Sequence, residues 1–129
     1  MAKADWEDWW DIFVRDHCTC VYCGYAGTNL LMWRQLCIDH VIPTSAGGLD
    51  DPRNKVVACT YCNNMKRDFD PSDGQMKYPA TDEAREALVE RAKRHIPVAI
   101  AESYGNKPGE EQRDFELMMS EIGVVTAGK

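Results

Sequence analysis

Asp39 and His40 are neighbours at the end of an apolar run, in the segment CIDHVIPTSAGG that covers residues 37 to 48. A carboxylate is a suitable ligand for Mg2+ or Mn2+. An imidazole, with an ordinary pKa of ~6.5, can exchange a proton near neutral pH. Together they could hold a cation and activate a water molecule, although such a pair taken alone is more often an ordinary surface pair.

Four cysteines form two Cys-x2-Cys pairs, Cys20 with Cys23 and Cys59 with Cys62. This spacing lets two thiolates of one tight turn bind the same ion, and two pairs complete a tetrahedral site with bonds of ~2.3 Å. The sequence therefore predicts a structural Zn2+ held by four cysteines. A redox dithiol or unrelated buried thiols are the alternatives, and neither explains the duplication. Because a site with four protein ligands is closed, other residues must carry any chemistry.

Two cysteines are left over. Cys37 alternates with Leu36 and Ile38 in a strand-like run, which is typical of a small buried hydrophobic side chain. Cys18, together with His17, could replace a ligand of the metal site, but its spacing fits less well.

The elements that must position these residues follow from the apolar runs between the two cysteine pairs. QLCIDHVI and NKVVAC are predicted strands, and a loop rich in Pro and Gly joins them from Pro43 to Arg53. A helix is expected to begin at the second cysteine pair, in CTYCNNMKRD. The predicted order is strand, loop, strand and helix, with zinc holding the start of the helix against the first cysteine pair.

The combined pattern resembles the HNH family of nucleases, which have a ββα-metal (His-Me finger) fold. The resemblance covers residues 20 to about 68 and is carried by both cysteine pairs together with Asp39, His40, Asn54, Asn63 and Lys66. The third signature position, often His, is Asn63 here. The same variant is found in the HNH domain of RNA-guided CRISPR nucleases, so it does not by itself imply an inactive protein.

The resemblance implies a role for each of these side chains. Asp39 and Asn63 would bind the catalytic Mg2+ or Mn2+, and His40 would be the general base that takes a proton from the attacking water. Asn54 would tie the loop to the His40 segment. Lys66 lies three residues after Asn63 on the same helix face and could contact the substrate phosphate.

Asp50 and Asp51 lie in the joining loop. They could be further metal ligands, but turn residues are the more natural interpretation.

The N-terminal segment is predicted to form a helix over residues 5–16. Its apolar residues are spaced at i, i+3, i+4, i+7 and i+8, and Asp5 is a suitable N-cap. The stripe is interpreted as core, and a platform for stacking bases is the alternative. Its members are Trp6, Trp9, Trp10, Phe13 and Val14.

The C-terminal extension, residues 79–123, is predicted to contain two helices. The first runs from Asp82 to about His95, with Thr81 as its cap and Pro97 ending it. Its basic residues could touch phosphates, although a solvated charged face is the better interpretation. SYGNKPGEE is a predicted loop, and the second helix runs from about Glu111 to Ile122, where it either closes the core or meets a partner subunit.

The 129 residues are expected to form one α+β domain, residues 1–129, with a core over residues 18–70 and helices on both flanks. No run is long enough to span a membrane and the first residues are too acidic for a signal peptide, so a cytoplasmic protein is expected. A bacterial or phage origin is also expected. The net charge of −6 argues against a nucleic-acid partner, but the acidic excess lies on the flanks and residues 18–78 are balanced.

The expected function is divalent-metal-dependent hydrolysis of DNA, leaving 5′-phosphate and 3′-hydroxyl ends. One active site per chain would nick duplex DNA as a monomer, and a double-strand break would need a homodimer or two events. The alternative is a non-catalytic zinc module that binds nucleic acid or protein, for which Mg2+ and Mn2+ are irrelevant.

Overall fold

The computed structural model describes residues 7–105, 107 and 109–123. These residues form a mixed α+β structure with one two-stranded sheet, which confirms the predicted fold class. No helix among them is both long and apolar enough to cross a membrane. In chain order the elements are α1 (Glu7–Arg15), α2 (Leu30–Trp33), β1 (Leu36–His40), β2 (Lys55–Cys59), α3 (Thr60–Lys66), α4 (Asp82–Tyr104) and α5 (Glu110–Ile122), with single 3-10 turns at Thr44–Ala46 and Pro52–Asn54.

The two strands are antiparallel and in full register. Leu36 lies opposite Cys59, and His40 lies opposite Lys55. Their apolar residues supply much of the core. Several of these residues are β-branched, which favours a strand over a helix in short runs. Helix α3 begins directly after β2, so the predicted order of strand, loop, strand and helix is confirmed.

The buried face of α1 differs from the predicted stripe. Phe13 is buried and Trp9 packs against the core, but the third member of the face is Ile12, which is 2% exposed. Trp10 and Val14 are 46% and 61% exposed, so their predicted place in the core is wrong. Ile12 also fits helical spacing with Trp9 and Phe13, and the sequence cannot choose between two adjacent apolar stripes. The predicted cap Asp5 and Trp6 lie outside the described residues.

The end of α1 is bonded to the side of β2 that faces away from β1. The backbone N–H of Val57 donates to Asp16 Oδ2 over 2.9 Å. Arg15 donates from its guanidinium to the carbonyl oxygen of Lys55. Val21 in turn donates its N–H to the carbonyl of Val57 over 3.0 Å. The N-terminal helix is therefore fixed to the sheet by polar contacts as well as by packing.

Helix α4 does not stop before Pro97. It continues to Tyr104, where Gly105 forms a left-handed C-cap, so the predicted end near His95 is wrong. A proline inside a helix costs one backbone hydrogen bond, here to the carbonyl of Lys93. Both Pro97 and Lys93 are exposed, so water can satisfy that carbonyl. Ile96 belongs to the core cluster and Ile100, beyond the proline, packs against it, so core contacts lie on both sides of Pro97.

Helix α5 agrees with the predicted helix and contributes nothing to the core. It runs from Glu110 to Ile122, and Gly123 forms its predicted C-cap. None of its described residues is buried. Phe115, Met118 and Ile122 are 46%, 52% and 64% exposed. Of the two expectations for this helix, closure of the core is therefore wrong.

Candidate active site

The four cysteines of the two pairs converge on one point. Their Sγ atoms all lie within 4.8 Å of one another, and Cys23 and Cys59 are 3.7 Å apart. A tetrahedral zinc site with bonds of ~2.3 Å has sulfur atoms about 3.8 Å apart. In the described part of the chain, this cluster consists of Cys20, Cys23, Cys59 and Cys62, and neither Cys18 nor His17 belongs to it. The four cysteines are thus positioned to bind a metal ion, and zinc fits their ligand set.

Local backbone structure aims the two pairs at each other. Around the first pair, the N–H of Gly24 donates to the carbonyl of Cys20 over 2.9 Å, and Gly24 has φ +83°, which glycine adopts without strain. At the second pair, Cys59 is the N-cap of α3, and its sulfur accepts a hydrogen bond from the N–H of Cys62 over 3.3 Å. The turn and the helix start therefore each present two thiols on one side.

In the absence of a metal, the close thiols compete for protons and their pKa values diverge. A hydrogen bond with Cys62 lowers the pKa of Cys20 to about 4. Burial raises the pKa of Cys23 to about 11. Burial also raises the pKa of Cys37, outside the cluster, to about 11. The sequence predicted a buried small hydrophobic side chain here, and Cys37 is half-buried. A divalent metal removes the competition for protons because it binds all four sulfurs as thiolates.

Asp39 is held on the inner side of β1 and is 7% exposed. Its Oδ2 accepts a hydrogen bond from the hydroxyl of Tyr22 over 2.6 Å and lies 3.2 Å from the ammonium of Lys66. Burial raises the pKa of the Asp39 carboxyl, and Lys66 and then Tyr22 oppose that rise. The other carboxylate oxygen, Oδ1, has no hydrogen-bond donor among the described residues.

Lys66 is buried, which differs from the surface position expected for a contact with substrate phosphate. Its side chain is fully buried. Besides facing Asp39, its Nζ donates to the carbonyl oxygen of His40 over 3.0 Å. A lysine side chain loses its hydration on burial and must find such partners. In this geometry Lys66 neutralises Asp39 and supports the end of β1. Its contact with substrate phosphate stays a prediction, and Lys66 would have to leave these partners to make it.

His40 is directed to the other side of β1 from Asp39, as strand alternation requires. Its ring is 29% exposed, and Nε2 lies 3.1 Å from Asp50 Oδ1. The same Asp50 oxygen is 2.6 Å from the ammonium of Lys55, the residue opposite His40 on β2. A hydrogen bond with Lys55, and then one with His40, lowers the pKa of Asp50. Asp50 therefore bridges the ends of the two strands.

Asn54 is completely buried and bonds the joining loop to the chain just after His40. Its Oδ1 accepts from the N–H of Ile42 over 2.9 Å, and its Nδ2 donates to the carbonyls of Ile42 and Leu49, each over 3.0 Å. The loop also passes very close to Ile42 at Gly48, where a Cβ atom would lie 1.8 Å from the Ile42 carbonyl oxygen. This is the link between loop and His40 segment that the sequence predicted for Asn54.

Asn63 lies on α3, half-buried, three residues before Lys66. Residues at this spacing share a helix face, so Asn63 is on the side of α3 that meets the end of β1. Its side-chain amide has no hydrogen-bond partner within the residues that the structure describes. It is therefore available as an oxygen ligand.

Asp51 has the turn role that was expected of it. Its side chain accepts from the N–H of Arg53 over 2.9 Å and caps the 3-10 turn at Pro52–Asn54. The hydrogen bonds from Arg53 lower the pKa of Asp51 to about 2. Asp50 instead contacts His40 and Lys55. Neither aspartate joins a metal-ligating cluster in the described part of the chain.

Sequence reasoning missed Tyr22 and the true place of Lys66. Tyr22 lies inside the first cysteine pair and is 6% exposed. Tyr61 has the equivalent position inside the second pair, yet it is exposed and bonds Glu111. Since the two pairs look alike in sequence, no local signal distinguishes the tyrosine that reaches Asp39 from the one that does not.

Comparison with known proteins gave a match to one family model, over the centre of the chain. Residues 20–69 match the model of the HNH endonuclease family. The matched segment contains both cysteine pairs, both strands and α3, and it confirms the family that the sequence pattern indicated. Neither the curated proteins nor the solved structures gave a match. The match indicates a nuclease of the ββα-metal type.

Proposed function

We propose, from the match of residues 20–69 to the HNH endonuclease family, that this protein is a divalent-metal-dependent DNA endonuclease. It would hydrolyse phosphodiester bonds and leave 5′-phosphate and 3′-hydroxyl ends. Because each chain carries one candidate active site, a monomer would nick one strand of a duplex, and a double-strand break would need a homodimer or two events.

The observation that carries this proposal is the contact between α3 and the end of β1. Lys66 of α3 reaches both the Asp39 carboxylate and the His40 carbonyl. Asn63 lies one helical turn earlier on the same face. Asp39 and His40 at the end of β1 and Asn63 on α3 are the residues assigned to the reaction. They are up to 24 positions apart in the chain, and this contact joins the two elements that carry them.

The residues that would hold the catalytic metal have suitable chemistry. Asp39 offers a carboxylate whose Oδ1 is without a donor among the described residues, and Asn63 offers a neutral amide oxygen. Mg2+ and Mn2+ favour such oxygen ligands and retain several waters. When bound there, the metal would supply neutralisation of the negative charge on the scissile phosphate and stabilisation of the leaving 3′ oxygen.

His40 is the proposed general base. Asp50 accepts a hydrogen bond from Nε2–H in the tautomer that leaves Nδ1 free to take a proton. The water that loses this proton attacks phosphorus, and the bond from phosphorus to the 3′ oxygen breaks. The 3′ oxygen takes a proton from a solvent water and leaves as a hydroxyl. Asn54 acts on His40 indirectly, because its three hydrogen bonds fix the loop and Ile42 behind the imidazole.

The alternative is a zinc module without catalysis, and the Asp39–Lys66 pair gives it a specific basis. A carboxylate that is already neutralised by an ammonium can serve stability alone. The two hypotheses differ in their metal requirement, since a binding module has no use for Mg2+ or Mn2+.

A cleavage assay on supercoiled plasmid distinguishes the endonuclease from the non-catalytic zinc module. The purified protein should convert it to the open circle with Mg2+ or Mn2+ and not without added metal. DNA ligase should reseal the product, because only a 5′-phosphate beside a 3′-hydroxyl can be joined. His40→Ala should lower the cleavage rate by a factor on the order of 10²–10⁴, since only the proton acceptor is lost.

His17→Ala is the matched control, because His17 is an exposed histidine outside the site and should leave the cleavage rate unchanged. Circular dichroism and zinc content should be the same for all three proteins. Full cleavage by His40→Ala at pH 7.5 would refute the role of His40. Binding of DNA without cleavage under any metal would favour the zinc module.

A further inference from the structure

Arg67 has a strained backbone at the point where α3 ends. It is the C-cap of the helix, with φ 52° and ψ −130°. Glycine is the usual residue where a helix ends at positive φ, because it has no Cβ to clash with the backbone. Strained positions of this kind persist only where the surrounding structure enforces them, and they cluster at functional sites. An arginine at this position therefore costs stability relative to glycine, and its side chain is expected to have a function that offsets this cost.

The arginine side chain contributes no contact to the fold that would justify the strain. Arg67 is exposed, and its guanidinium forms neither an ion pair nor a hydrogen bond with any residue that the structure describes. Its neighbour Lys66 is fully buried against Asp39. Lys66, which was expected to bind phosphate, is therefore paired with Asp39, whereas Arg67 is exposed to solvent.

Arg67 lies close to the proposed metal ligand on α3. Its N–H donates to the carbonyl of Asn63 over 3.2 Å, so its backbone lies one helical turn beyond Asn63. It also lines an open groove of about 520 Å³ between the end of α3 and α4. Asp68 and Glu102 line this groove too, and neither pairs with the Arg67 guanidinium. Arg67 is thus adjacent through its backbone to a proposed metal ligand, and its guanidinium has no partner among the described residues.

We propose that Arg67 binds a backbone phosphate of the DNA next to the cleaved bond, in place of Lys66. The inference rests on the proposed nuclease function and names the cation that recognises its substrate. A guanidinium can donate two parallel hydrogen bonds to one phosphate, which an ammonium cannot do.

The proposal predicts opposite effects on stability and on DNA binding. Arg67→Gly removes the clash and the charge together, so the melting temperature should equal or exceed that of the unmodified chain. DNA affinity should fall by about 3- to 10-fold, and the slope of log K against log salt concentration should become shallower by about one unit. Arg67→Lys should keep most of the slope because it keeps the charge.

Binding is measured in the His40→Ala background with Mg2+, so that the DNA stays intact. The probe is a fluorescein-labelled duplex of about 30 base pairs, followed by anisotropy between about 50 and 200 mM salt. Arg34→Ala is the matched control, because Arg34 is exposed and caps α2 with ordinary helical φ and ψ. Plasmid nicking is measured in parallel with the same changes made in the chain that retains His40.

Equal affinity and equal slope for Arg67→Gly and the unmodified background would overturn the proposal, as would an equal loss in Arg34→Ala. A lower melting temperature for Arg67→Gly would overturn it as well, since the side chain would then support the fold. In these cases nicking by the unmodified chain still upholds the nuclease function. Absence of both nicking and DNA binding in the unmodified chain would overturn the nuclease function and this inference together.

Discussion

At the scale of single residues, the pairing of Asp39 with Lys66 has the largest consequences. A buried carboxylate and a buried ammonium each lose their hydration, and each depends on the other for compensation. Lys66 also holds the carbonyl of His40. One side chain therefore links the proposed metal ligand, the proposed base and α3.

Lys66→Met should lower the free energy of unfolding by about 3–5 kcal/mol, because the Asp39 charge is left buried without its partner. Urea denaturation with zinc present measures this loss. Adding Asp39→Asn to Lys66→Met removes the stranded charge, so the double variant should recover a large part of the stability.

A loss below about 1 kcal/mol in Lys66→Met would contradict this account of the pair, since that is the range of exposed ion pairs. Lys55→Met is a useful comparison. Lys55 pairs with Asp50, whose side chain is 76% exposed, so a smaller loss is expected there.

The positions of Asp39, His40 and Asn63 on their elements could be predicted because strand and helix periodicity fix where a residue lies. Asn54 was predicted to begin the second strand, but it ends the 3-10 turn before β2. The burial of Lys66 could not. A long flexible side chain beside a helix end can extend into solvent or fold under the sheet, and the outcome depends on an acceptor brought from β1. The same holds for Tyr22, whose partner is 17 residues away in the chain.

At the scale of elements, the cysteine cluster connects the turn before α2 to the start of α3. The two strands and α3 were predictable, because short apolar runs indicate the strands and the second cysteine pair marks the start of the helix. The continuation of α4 past Pro97 was not predictable from local rules. It depends on Ile96 and Ile100 finding core partners on both sides of the proline.

Cys59→Ser tests the structural role of the metal. Serine is itself a good N-cap, so the hydroxyl can still accept a hydrogen bond from the N–H of Cys62 and the helix start is preserved. The variant should therefore lose bound zinc and show a melting temperature lower by about 10 °C or more, because metal binding contributes directly to folding. Zinc content and thermal circular dichroism measure the two effects.

Cys37→Ser is the control for this prediction, because Cys37 is a half-buried thiol outside the cluster. It should retain one zinc per chain. Full zinc content and an unchanged melt for Cys59→Ser would show that the cluster does not hold a structural metal.

At the scale of the whole molecule, the ββα segment and α1 and α4 share one core, whereas α5 lies on the outside. The sequence predicted α5 correctly as an amphipathic helix, but periodicity alone cannot show whether an apolar face is covered. Acidic residues dominate this helix, and only Arg113 among its described residues is basic. Like the N-terminal flank, it adds negative charge away from residues 18–78.

Replacing both Phe115 and Met118 with serine should change the melting temperature by less than about 3 °C, because both side chains are about half exposed and leave no cavity. Plasmid nicking should also be unchanged. Leu88→Ser on α4 is the contrasting variant, since Leu88 is 5% exposed and its loss from the core should lower the melting temperature strongly. A comparable fall in the double serine variant would show that α5 is packed into the core after all.

The bonds between α1 and β2 have a consequence for how the protein behaves at high concentration. A small sheet normally offers its free edge as a template for strands of other molecules, which leads to aggregation. Here the outward N–H and carbonyl of Val57 and the outward carbonyl of Lys55 already have partners in Asp16, Val21 and Arg15. A foreign strand would have to displace three hydrogen bonds to add there, so this side of the sheet is protected from cross-chain pairing as long as α1 stays folded.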